Sequence, residues 1–82
     1  MVQERKEVEI VVNGEKHPWP KTDIGYEDVA KLAFPDTFNP NTVYSIKYRN
    51  GHGQKPEGDL VKGASVKVKD GMIFTAKDTG ES

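Results

Sequence analysis

LVKGASVKVKDGMIFTAKDTGES, residues 60–82, carries two apolar runs around Asp70-Gly71 and then a polar end. Before Asp70-Gly71, Val66 and Val68 fall on one face. After it, Met72, Phe74 and Ala76 alternate with Ile73 and Thr75, the two-residue period of a half-buried strand. Asp-Gly between two such runs is a strong hairpin signal, because a type I′ turn needs positive φ at both central residues. The expectation is two paired strands joined at Asp70-Gly71. From Lys77 the buried period stops, so the chain is expected to leave the sheet as a flexible polar tail, 78–82, containing Gly80.

The remaining chain supplies partners for these strands. Val8, Ile10 and Val12 alternate with Glu7, Glu9 and Val11, and Asn13-Gly14 follows as a second type I′ signal. Residues 15–19 should return antiparallel. Pro18 and Pro20 donate no ladder hydrogen bond, which puts this strand at a sheet edge. Residues 21–25 read as a loop. A helix over 26–34 follows, with Tyr26, Val29, Ala30 and Ala33 on one stripe and Leu32 widening it. Gly25 stands at its N-cap, and Pro35 ends it. Tyr44, Ile46 and Tyr48 then alternate with Val43, Ser45, Lys47 and Arg49 as another strand, and 50–59 is a polar, glycine-rich loop. Hairpin, helix, then a second set of strands is the α+β order of a β-grasp: a mixed four- to five-stranded sheet with one main helix. The first and last strands would lie parallel at its centre. A ferredoxin-like plan needs a second helix, which 50–59 cannot supply.

Composition narrows the function. With 82 residues the chain holds one domain, expected to span 5–77, with residues 1–4 disordered. Net charge is −1, from 12 Lys and Arg against 13 Asp and Glu, so a dedicated nucleic-acid binder is not expected. There is no cysteine, hence no disulfide framework and no thiolate metal site. No apolar run reaches membrane-span length, and MVQERKEVE is too polar for a signal peptide, so a cytoplasmic protein is the expectation.

Catalytic chemistry is not legible. Gly51-His52-Gly53 with Lys55 suggests anion binding, but Pro56 and Gly58 forbid the helix whose N-terminal amides a phosphate loop needs. His17 and His52 are isolated, so neither a metal site nor a general base is assigned, and no cofactor is expected. Glu27 and Asp28 read as first-turn helix acids, with Glu27 also paired to Lys31. Trp19 reads as a cover over one end of the core.

The chain also resembles the bacterial multiubiquitin family, ubiquitin-like β-grasp domains encoded beside ubiquitin-type conjugation enzymes. The resemblance runs from about Val8 to Ala76. It is carried by Val12-Asn13-Gly14, by Tyr26-Glu27-Asp28-Val29 leading to Leu32-Ala33-Phe34-Pro35, by Tyr48-Arg49, by Lys55-Pro56-Glu57-Gly58, and most specifically by Leu60-Val61 and Ser65 through Phe74. It implies a protein modifier rather than an enzyme, joined to target proteins by an isopeptide bond through a C-terminal glycine. Its implied partners are a JAMM-type metalloprotease, a ubiquitin-activating-like enzyme and a ubiquitin-conjugating-like enzyme, in a setting of antiphage defence. Here the chain reads Thr79-Gly80-Glu81-Ser82 and not Gly-Gly, so the implied conjugation terminus is Gly80, processed between Gly80 and Glu81. Two other readings stay open: a sulfur carrier of the same fold, and a β-grasp interaction module that is never conjugated. If Val8, Tyr44 and Phe74 face the helix, then Val11, Val43 and Ile73 face outward as a candidate recognition patch.

Overall fold

Two sheets and one helix build the domain. The computed structural model describes residues 7–51, 53 and 56–81. The readings made above on residues 1–4, His52, Lys55 and Ser82 lie outside the described residues. In chain order the elements are β1 (Glu7–Val12), β2 (Glu15–Pro20), β3 (Asp23–Gly25), α1 (Tyr26–Ala33), β4 (Val43–Arg49), β5 (Gly58–Leu60), β6 (Ser65–Lys67) and β7 (Ile73–Glu81). Five strands form a mixed sheet in the order β2-β1-β7-β4-β5, and β3 pairs with β6 in a second sheet. This is the ubiquitin-like β-grasp arrangement, with β1 and β7 parallel at the centre.

Local chemistry accounts for the first half. Asn13 (φ 51°) and Gly14 (φ 85°) both take positive φ, as a type I′ turn requires, and β2 pairs with β1 from Val12↔Glu15 to Glu7↔Pro20. At the helix start the Asp28 carboxylate accepts from the Gly25 amide at 3.0 Å, which uses one acid of the first turn as a cap. At its end Phe34 has left helical geometry (φ −131°, ψ 67°), as the residue before a proline must. The helix lays Tyr26, Val29 and Ala30 against the inner sheet face, where Ile10, Val12, Met72 and Phe74 are essentially sealed from solvent. Burying a side chain such as Phe74 contributes about 2–3 kcal/mol, and the buried set contains no charged side chain among the described residues. Tyr44 is stacked between Phe34 and Phe38, at 5.3 and 5.8 Å between ring centroids, which fastens the chain leaving α1 onto β4.

Three sequence expectations are corrected. Asp70-Gly71 does not join two paired strands. Only Gly71 has positive φ (84°), and the Met72 amide donates to the Lys69 carbonyl at 2.9 Å, the pattern of a type II turn. Both edges of β7 are already taken, by β1 and β4, so β6 has no place beside it and pairs with β3 instead. Asp70 serves β1: its carboxylate accepts from the Glu9 amide at 2.8 Å, while the Gly71 amide donates to the Glu9 carbonyl at 2.7 Å. Second, 21–25 is not wholly loop, because Asp23–Gly25 is β3, with Ile24 fully buried opposite Val66. Third, β7 runs past Ala76 to Glu81, because β4 offers it a partner edge up to Val43.

Candidate functional site

The end of β7 leaves the sheet in stages. Through Phe74 the strand is flanked on both sides, by β1 and β4. At Ala76 the Asn13 side chain takes over from β1: its Nδ2 donates to the Ala76 carbonyl at 3.0 Å, and its Oδ1 accepts from the Ala76 amide at 2.9 Å. The carboxamide thus stands in for one more strand residue. Beyond it, β7 keeps only the β4 side, and Lys77, Asp78, Thr79 and Gly80 are all exposed.

Here the ladder is irregular. Tyr44 pairs with Asp78 and Val43 with Glu81, so Thr79 and Gly80 are the extra residues of a bulge. Thr79 Oγ1 donates to the Val43 carbonyl at 2.8 Å, and the Gly80 amide donates to Asp78 Oδ1 at 2.7 Å. Gly80 has φ +80°, and a Cβ placed there meets no atom within 4 Å. It therefore has a local conformational role, the left-handed residue of the bulge, which sequence reading did not assign to it. Glu81 follows directly as the residue paired with Val43.

The three outward residues are not all neighbours. Val11 and Ile73 are direct partners in the parallel ladder. Ile73 in turn lies opposite Arg49, whereas Val43 stands at the far end of β4, 43% exposed and beside Glu81. At about 3.4 Å per strand residue, Val43 is roughly 20 Å from Ile73. Val11 and Ile73 form a half-buried pair flanked by Lys16 and Arg49, and Val43 belongs with the strand end.

The histidine and tryptophan readings resolve into local structure. His17 faces the core side of β2, opposite Ile10, with Nε2 3.9 Å from Glu15 Oε1 and without a hydrogen-bond partner among the described residues. Trp19 packs on the core margin and donates from Nε1 to the Asp23 carbonyl at 3.2 Å. Among the described residues no three His, Cys, Asp or Glu side chains gather as a metal site would require, and no helix is long and apolar enough to cross a membrane. The expected loop over 50–59 ends early, because Gly58 and Asp59 already belong to β5 on the free edge of β4. Before it Gly51 is buried: its amide donates to the Pro56 carbonyl at 2.9 Å, and a Cβ there would lie 3.0 Å from that oxygen and 3.2 Å from Met72 Cε. That glycine is explained by close packing.

Sequence reading missed Asn13 as the clamp on β7. Asn-Gly signals a turn, and nothing in the dipeptide says that the carboxamide reaches a residue far along the chain. It also passed over the period-two cations Lys47, Arg49 and Lys77 on the outer face of β4 and β7, which alternation alone could have revealed.

A mixed five-stranded sheet grasping one helix, with the central C-terminal strand running out to an exposed glycine, defines a ubiquitin-like domain. Comparison with family models gives the family: the multiubiquitin model matches residues 8–79, and the chain belongs to that family. Gly80 and Glu81 lie just outside the matched range. Comparisons with curated proteins and with solved structures return no match.

Proposed function

We propose that this chain is a ubiquitin-like protein modifier, processed after Gly80 and conjugated through the Gly80 carboxylate. The observation that carries the reading is the course of β7. A central, fully anchored strand becomes a one-sided, exposed strand beyond Asn13 and reaches a glycine with open space around its Cα. Membership in the multiubiquitin family supports the same reading. An activating enzyme must admit the last residues into a narrow channel, and a residue without Cβ allows close backbone approach. The substrate contributes only a carboxylate. The catalytic groups belong to the partners: a JAMM-type metalloprotease that removes Glu81 and Ser82, an activating enzyme that adenylates Gly80, and a conjugating enzyme that passes it to target proteins. Held on one side only, the segment 78–81 needs few hydrogen bonds broken to enter such a channel.

The test compares the full chain with a chain ending at Gly80, each incubated with the cognate activating enzyme and ATP. The shorter chain is expected to be adenylated directly, and the full chain only after protease treatment. Equal activation of both without protease counts against processing at Gly80.

A second reading, an interaction module that is never conjugated, draws on two observations. Gly80 is already accounted for by its φ in the bulge, and the family match stops at Thr79. Under that reading neither chain is activated by the cognate enzymes.

A further inference from the structure

The outer face of β4 and β7 carries a cationic stripe that neither the fold nor the conjugation reading uses. Lys47 and Arg49 alternate outward on β4, and Lys77 does so on β7, with register pairs Arg49↔Ile73, Lys47↔Thr75 and Ser45↔Lys77. They line an open groove of about 480 Å³ together with Ser45, Ile73 and Thr75. All three cations are exposed, and none has an ion-pair partner among the described residues. Glu57 stands on the groove's rim and Asp59 lies across from Lys47 on β5, yet neither forms an ion pair with the stripe.

We infer that this groove binds a short acidic peptide segment of a partner protein, laid in extended conformation along β4 and β7. The spacing argues for extension. Arg49 and Lys47 are two strand residues apart, about 7 Å, and Lys47 and Lys77 are diagonal cross-strand neighbours, about 7–8 Å apart. Carboxylates at alternate positions of an extended peptide repeat at about the same interval. Charge selects the class. The stripe gathers three cations on one face of a chain whose net charge is −1, so the partner it favours is acidic. The stripe has only three cations, with Glu57 in the groove lining and Asp59 directly across from Lys47, so it matches two or three carboxylates and not a long polyphosphate backbone. At the Arg49 end, the half-buried Ile73–Val11 pair gives an apolar neighbour of the acids a place to rest. The surface is independent of Gly80 and stands whether or not the chain is conjugated.

The test is an NMR titration of the full chain with a peptide bearing glutamate at alternate positions, with the same peptide carrying glutamine, and with a single-stranded oligonucleotide. The glutamate peptide is expected to shift amides of 45–49 and 73–77, with an effect that fades as salt rises. The variant Lys47→Ser/Arg49→Ser/Lys77→Ser, all at exposed positions, is expected to keep its thermal midpoint and lose affinity by about tenfold. Lys47→Gln alone gives an intermediate loss and serves as the measurement if the triple variant folds poorly. Equal shifts with the glutamine peptide, shifts centred elsewhere, tighter binding of the oligonucleotide, or no titratable shift at all would overturn the inference.

Discussion

Asn13 does two things with one side chain. Its backbone takes the left-handed conformation that the β1–β2 turn needs, and its carboxamide holds both polar groups of Ala76. Asn13→Ala removes two hydrogen bonds, each worth about 1 kcal/mol, and places a Cβ residue without a compensating local bond at positive φ, worth about 1 kcal/mol more. The expected loss is about 3 kcal/mol by urea denaturation, with Asn13→Gly losing about 2 because glycine keeps the turn. A loss below about 0.5 kcal/mol for Asn13→Ala would show that the clamp does not hold the strand. Gly80 differs because its neighbourhood is empty. Gly80→Ala meets no atom, yet φ +80° disfavours it in place by about 1–2 kcal/mol. The expected result is faster hydrogen exchange of the amides at 79–81 with an unchanged global midpoint, since the bulge opens without the core. A falling midpoint would mean that the strand end is tied to the core more tightly than its single β4 flank allows.

At the level of elements, β3 and β6 separate what was readable from what was not. Val8, Ile10 and Val12, the stripe from Tyr26 to Ala33, and Tyr44 with Ile46 were legible because burial imposes a period on a run long enough to display it. Ser65–Lys67 was legible as a strand through Val66 and Val68, but Asp23–Gly25, only three residues long, shows no period, and the partnership of the two is purely long-range. Asp70-Gly71 was misread for a related reason: the dipeptide announces a reversal, while competition for the edges of β7 decides which strands pair. The site was less legible than the fold. The outward facing of Val11, Val43 and Ile73 followed from alternation, but the distance between Val43 and Ile73 depends on register, which one strand alone does not carry. Ile24 makes the correction measurable. It lies in a segment that reads as loop yet is fully buried. Ile24→Ala is expected to destabilise by about 2–5 kcal/mol, as a large-to-small core change does. A loop residue would change stability by less than about 0.5 kcal/mol.

Across the whole molecule, the short parallel overlap of β1 and β7 sets where the ends lie. Only the end of β1 meets the start of β7, so Glu7 and Glu81 stand at opposite ends of a domain 48 Å long. Bulk attached ahead of Glu7 is therefore kept from Gly80, and a folded tag fused there is expected to leave activation by the cognate enzyme unchanged. A tag that blocks activation would place the two ends closer than the register allows. The same geometry presents the end of β7 to a partner without disturbing the helix face or the core, because Lys77, Asp78, Thr79 and Gly80 are all exposed. If the chain is a modifier as proposed, Gly80 is the residue joined to a target. The most direct measurement of this is tandem mass spectrometry of a proteolysed conjugate made by the full chain with its cognate protease, activating and conjugating enzymes. The expected product is a branched peptide whose modifier arm ends at Gly80, with Glu81 and Ser82 absent and the new amide at the Gly80 carbonyl. An arm that retains Glu81 and Ser82, with the new bond at Ser82, would contradict it.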